Sequence, residues 1–221
     1  MPPLFITFEG IDGSGKSTHL LRAGEWLERH GVAYLRTHEP GGTPLGDALR
    51  QLFLDPGWGD LDGTVELLML FASRRQHLLE VIEPALAAGQ NVLCDRFTDS
   101  TRAYQGSGRG VPLALIDQID RLATGGRRPD RTLLFDLPAA SARARRHAGA
   151  RRGALGGRRR TDRLDAEDLA FYERVRRGFL EQAEREPRRF RIIKSGGDPA
   201  RTEAQVRAAL ADLVPAGVVS A

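Results

Sequence analysis

The sequence predicts an α/β fold, a five-stranded parallel sheet flanked by helices in three layers, and three observations carry that prediction. Five short β-rich runs alternate with helix-period patterns. The first run leads straight into a glycine-rich turn and a helix. Glycine, carboxylate and basic residues crowd the segments that close four of the runs. A parallel sheet puts all such segments on one rim, outside the carboxyl ends of its strands.

Residues 4–8 form a short apolar run and read as a buried strand. A helix follows over about 16–30, with Leu20, Ala23 and Leu27 on one face and Gly31 to stop it. The second strand is placed at 32–37 and a short helix at 46–54. A longer helix runs over about 65–82, where Pro84 and Gly89 break the pattern. Strands at 91–95, 131–137 and 190–194 complete the sheet, and helices near 112–123, 166–185 and 201–213 complete the layers. Residues 1–213 are expected to form a single domain and 214–221 a frayed tail.

Directly after the first strand stands Gly10-Ile11-Asp12-Gly13-Ser14-Gly15-Lys16-Ser17-Thr18, which fits G-x-x-x-x-G-K-[ST]. Backbone N–H groups of this loop and the start of the following helix would cradle phosphate oxygens. Lys16 would reach the β- and γ-phosphates, with the Ser17 hydroxyl on Mg²⁺. Of 33 basic residues only Lys16 and Lys194 are lysines, so Lys16 marks a place that calls for a compact ammonium. Asp95 ends a strand, where a carboxylate can hold the metal or its waters; a helix cap or an ion pair to Arg96 is the other reading. The motif in this setting predicts the three-layer P-loop NTPase fold. No Asn-Lys-x-Asp guanine signature occurs, so ATP is the donor expected.

Composition closes off other classes. A chain of 221 residues suffices for one α/β domain with an ample core. The single cysteine, Cys94, rules out an internal disulfide, fits a reducing compartment, and sits in a strand-like run rather than a metal-site pattern. The opening Met1-Pro2-Pro3 lacks the charge of a signal peptide, and no apolar stretch approaches the ~20 residues that span a bilayer. A cytoplasmic protein without membrane contact is therefore expected. The net charge of +4 with a pI near 9.8 suits polyanionic ligands. Arg143, Arg145, Arg146, Arg151, Arg152, Arg158, Arg159, Arg160 and Arg163 crowd one segment instead of forming a basic face interleaved with aromatics. Nucleic acid is thus not an expected partner.

Several segments resemble the bacterial thymidylate kinases over nearly the whole chain. They are Phe8-Glu9 leading into the phosphate loop, Glu39-Pro40-Gly41-Gly42-Thr43, Leu70-Phe71-Ala72-Ser73-Arg74-Arg75, and Asp95-Arg96-Phe97-Thr98-Asp99-Ser100-Thr101 with Ala103-Tyr104-Gln105-Gly106. Gly108-Arg109-Gly110, Pro129-Asp130 and Asp162-Arg163-Leu164-Asp165 fit as well. The resemblance implies transfer of the γ-phosphoryl group of ATP to dTMP, giving dTDP and ADP. It implies that Arg96, with Arg50 as a second candidate, grips the acceptor 5′-phosphate through charge-assisted contacts. Asp12 would accept from the sugar 3′-OH or sit near the metal. Phe71 would lie against the pyrimidine face, with Arg74 or Arg75 donating to thymine O4. Arg75 stands four residues after Phe71, whereas the downstream match from Gln76 to Pro84 favours Arg74, with Leu70 in the aromatic position. Thr101 and Gln105 would meet the N3 and O2 edge, and Tyr104 would pack under the sugar and exclude a 2′-OH. Glu39 and Ser100 complete the acceptor set. Plain alternatives stand beside these: Phe71 as core, and Tyr104 and Gln105 as surface loop. A homodimer packed through helices, among them the one near 66–82, is also implied.

The acceptor phosphate is itself the nucleophile, mostly dianionic at pH 7 with a second pKa near ~6, so no general base is required. No variable position of the phosphate loop is an arginine. The missing cation is assigned to an arginine-rich mobile lid over about 146–163, with Arg163 and one of Arg158, Arg159 and Arg160 at the phosphates and Arg145 flanking adenine. A solvated basic loop is the alternative. Rival readings are another nucleoside or nucleotide kinase, which Arg96 and Arg50 disfavour because they need an acceptor already bearing phosphate, and a nucleic-acid-binding ATPase.

Overall fold

Five strands form one parallel sheet: β1 (Phe5–Glu9), β2 (Tyr34–His38), β3 (Asn91–Asp95), β4 (Arg131–Asp136) and β5 (Phe190–Lys194), in the spatial order β2-β3-β1-β4-β5. The computed structural model describes residues 2–153 and 163–214. Among them the helices are α1 (Lys16–Arg29), α2 (Pro44–Leu54), α3 (Gly63–His77), α4 (Glu83–Ala87), α5 (Thr98–Thr101), α6 (Leu113–Thr124), α7 (Ala139–Gly153), α8 (Leu169–Arg185) and α9 (Pro199–Leu210).

Every residue of β1 is buried, as a strand covered on both faces requires. Ile6 and Phe8 point to one layer, where Leu20, Ala23 and Leu27 of α1 meet Val206 and Leu210 of α9. Phe5, Val92 and Cys94 face the other, packing on Leu78, Ile82 and Phe97. Beside them, Leu134 packs with Phe171, Val175 and Phe179 of α8. Because the strands run parallel, the turns after β1, β2, β3 and β5 share one edge, and the phosphate loop sits at its centre.

The structure departs from the sequence reading in three places. The helix expected to stop before Pro84 runs on to Ala87, because a π turn over Leu78–Ile82 widens the chain just ahead of the proline ring. Thr98–Thr101 and the π turn Arg102–Gly108, where no element was expected, are helical and largely buried, which sets aside the surface-loop alternative for Tyr104 and Gln105. Thr98, Gly106 and Gly108 give that stretch poor local propensity, and tertiary packing on α8 overrides it. A Cβ on Gly108 would lie 2.7 Å from Phe171, and one on Gly178 would strike the Ser107 side chain. The third difference is α7, an Ala- and Arg-rich helix that ends inside the expected lid. The rest of that lid, Arg158, Arg159 and Arg160 included, and 215–221 of the expected tail lie outside the described residues.

A buried ion pair ties the layers together beneath the site. Arg189 donates through Nη1 to Asp99 Oδ2 at 2.6 Å and through Nη2 to Asp99 Oδ1 at 2.8 Å, and also to Thr132 Oγ1 at 2.7 Å. Removing one partner leaves an uncompensated buried charge. Arg189→Met is therefore expected to cost about 3–5 kcal/mol in urea unfolding; a loss below about 0.5 kcal/mol, the range of an ordinary surface substitution, would contradict this account.

Candidate active site

The phosphate loop needs its glycines. Gly10, Gly13 and Gly15 have φ of 140°, 89° and 94°, and a Cβ at Gly13 would press into the Ala142 carbonyl of α7. The turn delivers Lys16 to the first position of α1, where its ammonium is buried 3.4 Å from Asp12 Oδ1 and 4.0 Å from Asp95 Oδ1. Ser17 Oγ donates to Asp95 Oδ2 at 2.6 Å, while Asp95 Oδ1 is buried without a hydrogen-bond partner. A hydroxyl beside an orphaned carboxylate oxygen, next to a phosphate loop, is the hard-oxygen donor set that Mg²⁺ takes while keeping waters and phosphates as its other ligands.

From the neighbouring strand end, Arg96 turns back toward the same loop. Its φ of 74° is left-handed, a conformation that costs about 1–3 kcal/mol in a non-glycine residue. The guanidinium donates to Asp12 Oδ1 at 2.7 Å, Ser100 Oγ at 2.8 Å and the Tyr104 hydroxyl at 3.1 Å. Tyr104 in turn donates to Asp12 Oδ2 at 3.0 Å. Desolvation works against the Asp12 charge, yet Arg96, then Lys16, then the hydrogen bonds hold its carboxyl far below the usual range. It is a fixed anion and not a proton acceptor.

A solvent-open cleft is lined by Asp12, Glu39, Arg50, Leu70, Arg74, Arg96, Ser100, Thr101, Tyr104 and Gln105. The open choice in the α3 register resolves here. Leu70 and Arg74 face the cleft; Phe71 belongs to a separate core cluster with Leu67, Ile116 and Ala123, and Arg75 donates to the Ala123 carbonyl. Arg74 is gripped by Glu39 Oε2 at 2.7 Å and donates to Thr101 Oγ1 at 3.1 Å, leaving Nη1 buried without a partner. His77 braces the other Glu39 oxygen at 2.9 Å, so Glu39 orients Arg74 with both oxygens committed. Arg50 lines the same cleft and donates to the Pro40 carbonyl at 2.9 Å.

Two expected residues are engaged by protein partners. Arg163, anticipated at the phosphates, is buried with Nη1 2.6 Å from Glu66 and its guanidinium over Phe53, because the enclosed Glu66 carboxylate needs cationic partners. Arg145 donates to the Ser195 carbonyl at 2.7 Å, joining α7 to the turn after β5. Thr18 and Ser17 are exposed on α1.

Sequence reasoning missed Glu9 and Glu66, since a carboxylate inside an apolar strand or helix has no motif. Glu9 accepts from Phe97 N at 2.7 Å and from Ser100 Oγ at 2.5 Å, which anchors the Arg96 turn. Burial, with a smaller push from Asp99, raises its pKa from 4.5 to about 8 against the opposing pull of Arg96. Between those values the unfolded chain has lost this proton and the folded one keeps it, so the Glu9 contribution to stability falls as pH rises. Glu9→Gln is expected to remove that slope: relative to the variant, wild type should lose urea stability from pH 5 to pH 8, and parallel curves would refute it.

Comparison with known proteins agrees with this geometry. The thymidylate kinase family profile matches residues 8–206. The chain is 47% identical over 212 residues to the thymidylate kinase of Desulfosudis oleivorans, covering 94% of this chain and 96% of that protein. It is 44% identical over 216 residues to that of Ectopseudomonas mendocina, covering 98% and 99%. The crystal structure of thymidylate kinase from Ehrlichia chaffeensis superposes with a TM-score of 0.74 at 36% identity, over 96% of this chain and 99% of that one. The fold is that of the P-loop NTPases, and the chain belongs to the thymidylate kinase family.

Proposed function

We propose a division of labour among these residues for the reaction that family membership establishes, transfer of the γ-phosphoryl group of ATP to dTMP to give dTDP and ADP. One observation carries it: Lys16, from the phosphate loop after β1, and Arg96, from the end of β3, converge on a single carboxylate, Asp12. Two cations that share one anion mark the line along which a donor and an acceptor phosphate would meet.

Gly10 to Thr18 would bind the ATP phosphates, with Lys16 on the β- and γ-oxygens. Ser17 and Asp95 would hold Mg²⁺, which when bound neutralises charge on the transferring group. Arg96, held by Asp12, Ser100 and Tyr104, would grip the 5′-phosphate of dTMP, with Arg50 beside it on the cleft wall. That phosphate needs no base, in accord with an Asp12 too weakly basic to take a proton. Leu70 would lie on the pyrimidine face. The unpartnered Arg74 Nη1 is a donor awaiting an acceptor, which thymine O4 supplies. Tyr104, clamped under Asp12 and Arg96, would exclude a ribose 2′-OH. The lid arginines, Arg159 among them, would add positive charge at the phosphates.

The exposed Leu45, Leu52, Val65 and Leu68 on α2 and α3 support a homodimer through this apolar face. No described helix is long and apolar enough to cross a membrane. A cytoplasmic site of action follows from the nucleotide substrates.

A substrate screen with ATP and magnesium should give product with dTMP and none with thymidine, which offers Arg96 no phosphate. Arg96→Ala should lower kcat/KM for dTMP by about 10²–10³, the scale of removing one charge-stabilising donor; wild-type turnover by this variant would sink the assignment. Leu68→Glu should shift the particle to half its mass in light scattering, and an unchanged mass would place the interface elsewhere.

A further inference from the structure

Gln105 lines the cleft at 2% exposure, and its orientation is not free. Nε2 lies 2.7 Å from Oε2 of Glu66, which stands on α3 at 0% exposure. A carboxylate only accepts, so the amide nitrogen must face Glu66 and the carbonyl Oε1 is the group left for a ligand. Glu66 is itself held from two further sides: Arg163 Nη1 lies 2.6 Å and Arg109 Nη2 3.3 Å from its other oxygen. Arg109 is braced in turn by Glu167 at 2.7 Å. Two guanidiniums compensate the buried charge, so the carboxylate is retained as a fixed acceptor at the cleft floor.

We infer that Glu66 is a positioning residue that sets the hydrogen-bond polarity of Gln105 and so selects pyrimidines carrying an N3–H. The inference rests on the reading that the acceptor base occupies this cleft. An amide carbonyl on the cleft wall can receive the N3–H of thymine or uracil, but it meets the N3 lone pair of cytosine as one acceptor facing another. The same polarity decides between the two edges considered for Gln105: its carbonyl cannot serve O2, which is also an acceptor, so N3–H is its partner. A glutamine without Glu66 could rotate its amide and serve either base. Selectivity at N3 therefore originates in a residue that never touches the ligand.

The test compares kcat/KM for dTMP, dUMP and dCMP in wild type and in Glu66→Gln, whose side chain can donate as well as accept. The dTMP-to-dCMP ratio should fall about tenfold or more, the scale of one misplaced buried hydrogen bond, with dUMP following dTMP. Arg74 opposes the cytosine amino group equally in both proteins, so the shift reads N3. An equal loss for all three substrates would reduce Glu66 to a structural role and overturn the inference. Thermal melting shows whether the variant folds. If it does not, Gln105→Leu, which leaves Glu66 paired with Arg109 and Arg163, takes its place: discrimination against dCMP should weaken by a similar factor, and unchanged discrimination overturns the inference. A wild type that makes no dTDP from dTMP would instead overturn the functional reading, and this inference with it.

Discussion

Asp12 is the charge around which the site is assembled. It receives Lys16, Arg96 and Tyr104, and each of these arrives from a different segment: the start of α1, the end of β3 and the π turn before α6. Without the anion, two cations and a strained Arg96 backbone would crowd one spot against their mutual repulsion. With it, the cations are pre-positioned at separations that phosphate oxygens can replace. Under the proposed mechanism, in which the protein moves no proton, catalysis by positioning and electrostatics depends on such preorganisation.

Around that centre runs a series of buried polar braces, each orienting the group in front of it. Glu9 anchors the Phe97 amide and Ser100, and Ser100 receives Arg96. His77 steadies Glu39, and Glu39 aims Arg74. Arg109 and Arg163 compensate Glu66, and Glu66 turns Gln105. Three buried glutamates thus behave alike: none lies free in the cleft, and each fixes the direction of a donor or acceptor that does reach it. Networks of this kind are costly when incomplete and rigid when satisfied. Rigidity is what the discrimination by hydrogen-bond polarity proposed for Gln105 requires.

Much of the frame was legible from residues alone. Strands at 91–95 and 190–194 coincide with β3 and β5, since short apolar runs bounded by turn residues have one reading in an alternating α/β chain. The phosphate loop was legible because left-handed glycines and a lone lysine leave a spacing signature. The helical stretch at Thr98–Gly108 was not, because its propensity is poor and tertiary contacts with α8, α6 and α3 hold it. The fate of Arg163 was hidden as well: among nine arginines in one segment, nothing in the order of residues tells which one a buried carboxylate will capture.

By itself the sequence determined the sheet, the phosphate loop and the family, because periodicity and motif spacing are local properties that a chain carries before it folds. Only the tertiary structure decided that Leu70 and Arg74 face the cleft while Phe71 and Arg75 turn away. It likewise decided that Arg163 lies under Glu66, and that the Gln105 amide points its nitrogen inward. Those choices depend on which groups meet across 27 to 110 positions of chain, where burial of unpaired charge and the one-way polarity of a hydrogen bond select a single arrangement.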